Sequence, residues 1–249
     1  MIDTNEFRYR RLMRVRNVEA VCIYPYPHYT MCDIKSHFRK FAVLPEQTHS
    51  LNVGIAENLT DYLPGTDAVI TFKHNLPIGV VTADCVPIVV YTSDVEGVAV
   101  IHAGWRGSLG GIIDHTIDRF IEHGASPSNM IVAFGPSISK NVYEVDENLA
   151  DKFRKAGFAD YVSHPNGYIN RPHIDLQGVN IERLLRKGVR RENIISSPDC
   201  TYATVDAACQ PVYQSYRRSK GAPGRNLTLI YLADSSPDFL SNTIFEASR

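Results

Sequence analysis

The sequence predicts an α+β fold, a layered sandwich in which a mixed or antiparallel central sheet is covered by helices. Three observations point there. Four short β-branched runs follow one another over residues 67–101 with no helical pattern between them. Later segments switch to apolar residues at 3.6-residue spacing, so helices are present without the strict alternation a regular parallel sheet requires. The composition, 44% hydrophobic and 21% charged, is that of a chain that buries a core and not of a disordered one.

The first strands are read at 67–72, 78–82, 86–91 and 97–101, each a β-branched run bounded by turn residues. A helix is expected over 109–122, where Leu109, Ile112, Ile113, Ile117, Phe120 and Ile121 share one face and Gly124 suits the stop. Residues 130–134 read as another strand. Asp146 is placed to cap a second helix that buries Leu149 and Phe153. Asp175 caps a third, carrying Leu176, Val179, Leu184 and Leu185 before Gly188. Strands at 193–196 and 227–231 follow, and residues 233–249 read as a polar tail with one weak amphipathic turn. No repeat, low-complexity tract or linker divides the chain, so residues 1–249 are expected to form a single domain.

Bulk properties narrow the function. A net charge of −1 leaves no basic field to recruit nucleic acid or an anionic membrane. Residues 1–16 mix charges without an apolar stretch, unlike a secretory signal. The longest apolar tract, 76–91, is broken by Thr82 and Asp84, so no membrane span is expected. Five cysteines (Cys22, Cys32, Cys85, Cys200 and Cys209) lack any Cys-x-x-Cys and are odd in number. They suggest a reducing cytoplasm and no disulfide framework.

Three segments depart from plain packing: a histidine in Gln47-Thr48-His49-Ser50, an acid and a thiol in Ala83-Asp84-Cys85-Val86-Pro87, and a strand-end histidine in His102-Ala-Gly-Trp-Arg106-Gly. Imidazole and thiolate are the ligands zinc prefers, and a catalytic zinc keeps three protein ligands and one open position. Zinc so held lowers the pKa of bound water to about 7. His49 and Cys85 are 36 residues apart and Cys85 and His102 are 17 apart. Spacing alone leaves Cys85 equally open to a role as a small buried hydrophobe, and favours His49 as a hydrogen-bonded structural residue over a ligand.

The stretch TADCVPIVVYTSDVEGVAVIHAGWRGSLGGII resembles the signature of the laccase-domain family, also called the polyphenol oxidase or multicopper polyphenol oxidase family. Similarity continues through FGPSISKNVYEVDE, HIDLQGVNIERLLRKGV and DCTYATVDAACQPVYQSYRRSKGAPGRNLTLIYL, covering most of residues 44–232 in order. The resemblance implies a purine nucleoside phosphorylase acting on adenosine, inosine, guanosine and methylthioadenosine, with adenosine deaminase activity and a fold like that of a deamidating toxin. It makes His49, Cys85 and His102 the zinc ligands and purine nucleosides and phosphate the partners, in a monomer or homodimer.

Around those ligands, Asp84 is the candidate proton shuttle, Arg106 in its glycine-rich turn into a helix the candidate anion site, and Trp105 the candidate purine platform. Cys200, in a Cys-Thr pair, is expected to line the pocket. Arg217, Arg218 and Arg225 are weaker anion candidates, read as surface or structural residues. The chain departs from the family over residues 1–43, and the Gln-Val-His-Gly of relatives reads Gln47-Thr-His49-Ser50 here. Arg39 is the nearest stand-in for an arginine that relatives supply from that early segment.

Copper oxidase chemistry fits poorly. None of the nine histidines lies two residues from another, so the His-x-His pairs of a multicopper centre are absent. Copper could still occupy the His/Cys/His set in place of zinc. A different class, a metal-free cysteine hydrolase or amidase using Cys85 and His102, also stays open; editing of peptidoglycan precursors is a related possibility.

Overall fold

The computed structural model describes residues 7–25, 29–165, 171–221 and 224–234. In chain order they form β1 (Phe7–Val15), β2 (Val18–Pro25), α1 (Met31–Phe38), β3 (Val53–Ile55), β4 (Ala68–Thr71), β5 (Ile78–Thr82), β6 (Val86–Thr92), β7 (Gly97–Ala103), α2 (Trp105–Gly110) and α3 (Ile112–Glu122). Then come β8 (Met130–Phe134), α4 (Glu147–Phe153), β9 (Val162–Ser163), β10 (His173–Ile174), α5 (Leu176–Arg186), β11 (Ile194–Ile195), α6 (Tyr216–Ser219) and β12 (Asn226–Leu232).

Two sheets organise these strands. One is fully antiparallel in the order β1-β2-β12-β5. The other is mixed, β11-β8-β6-β7-β4-β3, with antiparallel pairs inside and parallel pairs at both edges. Strand alternation explains how they stack. In β6, Val89 and Tyr91 join Val80, Ile230 and Val18 between the sheets, whereas Ile88 and Val90 face Ile113, Ile117 and Val179 of α3 and α5. Both faces of β6 and β7 are therefore buried, which is why these strands read as continuous apolar runs. The far side of the antiparallel sheet is covered by α1, whose Ile34 and Phe38 pack with Val21, Val81 and Leu229. The layers run helix, sheet, sheet, helix, as the α+β sandwich predicts.

The local differences have physical causes. The expected 109–122 helix is two: α2 begins at Trp105, and Gly111 at φ +90° ends it before α3 starts. A side chain at Gly111 would meet the Asp114 carboxylate at 2.7 Å, so a left-handed stop there needs glycine. Asp146 and Asp175 cap as expected, accepting from the backbone N–H groups of Leu149 and Gly178. Leu185, expected in the core face of α5, is exposed. The 193–196 strand shortens to β11 after a 3₁₀ turn at Arg191–Asn193.

β1, β2 and α1 come from a stretch whose sequence pattern predicts no elements. β1 is an edge strand carrying Arg8, Arg10, Arg11 and Arg14, and such charges guard open edges while hiding the strand pattern. α1 is started by a capping box: Thr30 Oγ1 accepts from the Asp33 N–H and the Asp33 carboxylate accepts from the Thr30 N–H. The tail beyond 234 and part of the Tyr24-Pro-Tyr-Pro27 stretch lie outside the described residues. Among the described residues no helix is long and apolar enough to cross a membrane.

Candidate metal centre

Three elements deliver the three candidate ligands. His102 is the penultimate residue of β7, buried between its neighbours. Cys85 stands immediately before β6, the strand paired with β7, and is partly exposed. His49 lies in the loop before β3 with a left-handed backbone, φ +59°, and is exposed. Their ligand atoms all lie within 4.8 Å of one another, with Cys85 Sγ 3.9 Å from His49 Nε2. Zinc–ligand bonds of 2.0–2.3 Å in a tetrahedron place ligand atoms about 3.5 Å apart, so small side-chain rotations would close the set. Among the described residues this is the one group of three or more such side chains able to share an ion.

The arrangement is held by Asp67, a fully buried acid that sequence reading passed over as the start of a strand. Its carboxylate accepts from the backbone N–H groups of Thr48, His49 and Ser50 at 3.0, 3.0 and 2.7 Å and from Ser50 Oγ at 2.8 Å. It also pairs with His102 Nδ1 at 2.7 Å. One carboxylate thus fixes the ring of one histidine and the backbone of the other, leaving His102 Nε2 for the metal. A buried acid needs partners; an aspartate heading an otherwise apolar strand was the available signal.

Glycine is required next door. A Cβ on Gly104 would stand 2.9 Å from His49 Cδ2 and 3.0 Å from Cys85 Sγ. The β7–α2 junction passes under the site so closely that only a bare backbone fits.

Electrostatics suit a ligand set. Burial pushes the Cys85 thiol up, but the charge and hydrogen bond of His102, helped by His49, outweigh it and bring its pKa down to about 6. Burial would also lower His102, yet the Cys85 thiolate and Asp67 raise it to about 9. Burial opposes the Asp67 charge, and His102 with the loop N–H groups overcomes it, holding that carboxyl far below the usual range.

The triad forms the floor of a cavity of about 1100 Å³. Trp105 and Arg106 line it, with the Arg106 guanidinium stacked 4.3 Å over the Trp105 ring. Arg106 is exposed and has no carboxylate within salt-bridge distance among the described residues. The anion reading of its turn rests on this guanidinium, because α2 spans only six residues.

Asp84 lines the cavity as well, with a left-handed backbone at φ +83°. Its oxygens accept from Thr201 Oγ1 and the Arg217 N–H, both at 2.7 Å. Arg39, Arg217 and Arg225 are in the wall. Arg218 instead ties loops together through the carbonyls of Thr201, Tyr202 and Tyr213. Cys200 sits behind the wall, where its sulfur accepts from the Ser139 N–H and steadies the turn that brings Ile138 into the cavity.

Sequence reading missed several lining residues, among them Lys35, Gln47 and Tyr143. Gln47 pairs with the backbone of Val81 through both amide atoms, closing the open edge of β5.

The family model described as multi-copper polyphenol oxidoreductase laccase matches residues 30–233. The chain is 35% identical over 200 residues to a protein named adenosine deaminase RL5 from an unknown prokaryotic organism, covering 76% of this chain and 74% of that one. It is 32% identical over 166 residues to a purine nucleoside phosphorylase of Deinococcus radiodurans, covering 67% of this chain and 61% of the relative. The fold is similar to the crystal structure of the hypothetical protein YfiH of Bacillus licheniformis, with a TM-score of 0.73, 21% identity, and 92% of this chain and 99% of that one covered.

Proposed function

The chain belongs to the multi-copper polyphenol oxidoreductase laccase family, and we propose that within it this protein is a zinc-dependent purine nucleoside phosphorylase that also deaminates adenosine. Adenosine, inosine, guanosine and methylthioadenosine are the proposed substrates. The observation that carries the reading is the convergence of His49, Cys85 and His102 on one point at the floor of a cavity roomy enough for a nucleoside and phosphate. Relatives named for both activities support it.

In phosphorolysis a phosphate oxygen bonds to the ribose C1′ as the C1′–N9 bond breaks. The electron pair leaves on the purine, which takes the proton that hydrogen phosphate gives up. Trp105 offers its ring as a wall for the purine, and Arg106 and Arg217 hold the phosphate by charge-assisted hydrogen bonds. Asp84, whose oxygens accept from Thr201 Oγ1 and the Arg217 backbone N–H, is the proposed proton shuttle for deamination, and the Arg217 guanidinium is steadied by donating to the Glu144 carbonyl. Zinc bound by the triad would supply a Lewis acid that takes up developing negative charge, and would serve the addition of water at C6 with loss of ammonia in deamination.

A specific observation keeps a second reading alive. Cys85, His102 and Asp67 stand in the order of a thiol hydrolase triad, with a thiol whose pKa is about 6. Against it, His49 also points at the sulfur, a second imidazole that such a triad does not use.

The test is incubation with inosine with and without inorganic phosphate. Hypoxanthine and ribose 1-phosphate that form only with phosphate are the expected result. No cleavage of any of the four nucleosides by zinc-loaded protein would refute the proposal.

A further inference from the structure

Phosphorolysis sets a phosphate against the ribose C1′, and two guanidiniums alone hold an anion without fixing which oxygen faces the carbon. Arg106 and Arg217 are such a pair. The wall beside them carries a further donor, the hydroxyl of Tyr143.

Tyr143 is held in place on several sides. Its backbone N–H donates to the Ser139 carbonyl at 3.0 Å, and its own carbonyl accepts from the Ile174 N–H at 3.2 Å. The half-buried ring packs against the core between the mixed sheet and its helices. Arg217 is fastened to the same turn: its guanidinium donates to the Glu144 carbonyl at 2.8 Å and lies 5.6 Å over the Tyr143 ring.

The phenol itself is left without a partner. Tyr62, Tyr161 and Tyr213 give their hydroxyls to Glu46, Glu182 and Asp199. The Tyr143 hydroxyl has no hydrogen-bond partner among the described residues, although a phenol taken out of water ordinarily finds one. Nearby polar side chains are already committed, Asp84 to Thr201 and the Arg217 N–H, and Gln47 to Val81. Burial, then the Cys85 thiolate and Asp84, raise the Tyr143 pKa while Arg217 and Arg106 oppose them. The hydroxyl therefore stands within electrostatic reach of the triad and of both arginines. A phenol is neutral and protonated at neutral pH, so it meets a dianion as a donor and without repulsion.

We propose that Tyr143 is a further catalytic residue of the phosphorolysis, its hydroxyl donating to a non-attacking oxygen of the inorganic phosphate that Arg106 and Arg217 hold. The inference rests on the phosphorylase reading and names the group that turns the attacking oxygen towards C1′. The bond that forms is C1′–O and the bond that breaks is C1′–N9. The phenol keeps its proton throughout, and its donation is set in place before the reaction begins.

The experiment compares the zinc-loaded full chain with Tyr143→Phe, which keeps the ring and removes only the hydroxyl. A second variant, Tyr143→His, restores a ring donor and guards against a folding failure of the first. Inorganic phosphate is titrated calorimetrically into each, and the KM values for phosphate and for inosine are measured separately. In Tyr143→Phe, loss of one donor to a charged oxygen should weaken phosphate binding and raise its KM about 10- to 100-fold. The KM for inosine should stay within about twofold, because the phenol does not touch the nucleoside. Tyr143→His should recover part of the phosphate affinity. Unchanged phosphate affinity in Tyr143→Phe, or a rise confined to the inosine KM, would overturn the proposal. So would loss of zinc and of inosine binding in step with phosphate, because the residue would then be structural. Weaker phosphate binding in Tyr143→Phe, with no nucleoside cleaved even by the wild type, would refute the phosphorylase reading and leave the phenol as a phosphate donor. Phosphate-dependent cleavage with the same phosphate KM in both proteins would do the reverse.

Discussion

At the scale of single residues, the site depends on Asp67 as much as on its three candidate ligands. It orients one histidine through the ring and the other through the backbone, so its loss should be felt in metal affinity before catalysis is considered. Asp67→Asn is expected to weaken zinc binding about 10–100-fold, read by competition with a chromogenic chelator; unchanged affinity would show that the ligands hold themselves. Cys85 supplies a pH test. Its pKa is depressed to about 6, so in metal-free protein the thiolate is present at neutral pH and is lost as pH falls through about 6. The alkylation rate at Cys85, followed by peptide mass spectrometry, should rise with pH to a plateau with that midpoint, and zinc should suppress it. A midpoint near the ordinary thiol value would contradict the described environment. That His49, Cys85 and His102 come together was legible in the sequence because their motifs resemble a family's, whereas spacing left it undecided. Asp67 was not legible because its role is made by contacts 17 to 35 residues away, with no local pattern to show them.

At the scale of elements, the site is assembled where strands end. His102 is carried by β7, Cys85 precedes β6, and the pairing of those strands sets one ligand beside the other. Gly104 then lets α2 begin directly beneath them. Gly104→Ala should leave the folded content intact by circular dichroism while displacing His49 or Cys85, and so lower zinc occupancy at least about tenfold through distorted ligand geometry. Full occupancy in that variant would mean the junction yields more easily than its contacts indicate. The helices starting after Asp146 and Asp175 were legible because capping acids and apolar periodicity agree. The onset of α2 was not, since Trp-Arg-Gly-Ser-Leu-Gly has no helical face and two glycines. β1 and α1 escaped notice for another reason: arginines on an edge strand and an eight-residue helix leave too short a pattern to read.

At the scale of the whole molecule, the helix–sheet–sheet–helix stack explains why one cavity collects residues from so many parts of the chain. The antiparallel sheet and α1 supply one wall, the mixed sheet and α2 the floor and the other, and α6, which carries Tyr216 and Arg217, closes the side. The two-sheet core was legible from consecutive apolar strands; which helix covers which face was not, because both faces of β6 and β7 are equally apolar. The central claim is that the triad binds a metal which the chemistry requires. It is tested most directly by measuring zinc content and phosphate-dependent inosine cleavage on the same preparations of wild-type and Cys85→Ala protein. The account predicts near-stoichiometric zinc with turnover in the wild type and loss of both in the variant. A zinc-free Cys85→Ala protein that still cleaves inosine at the wild-type rate would contradict it.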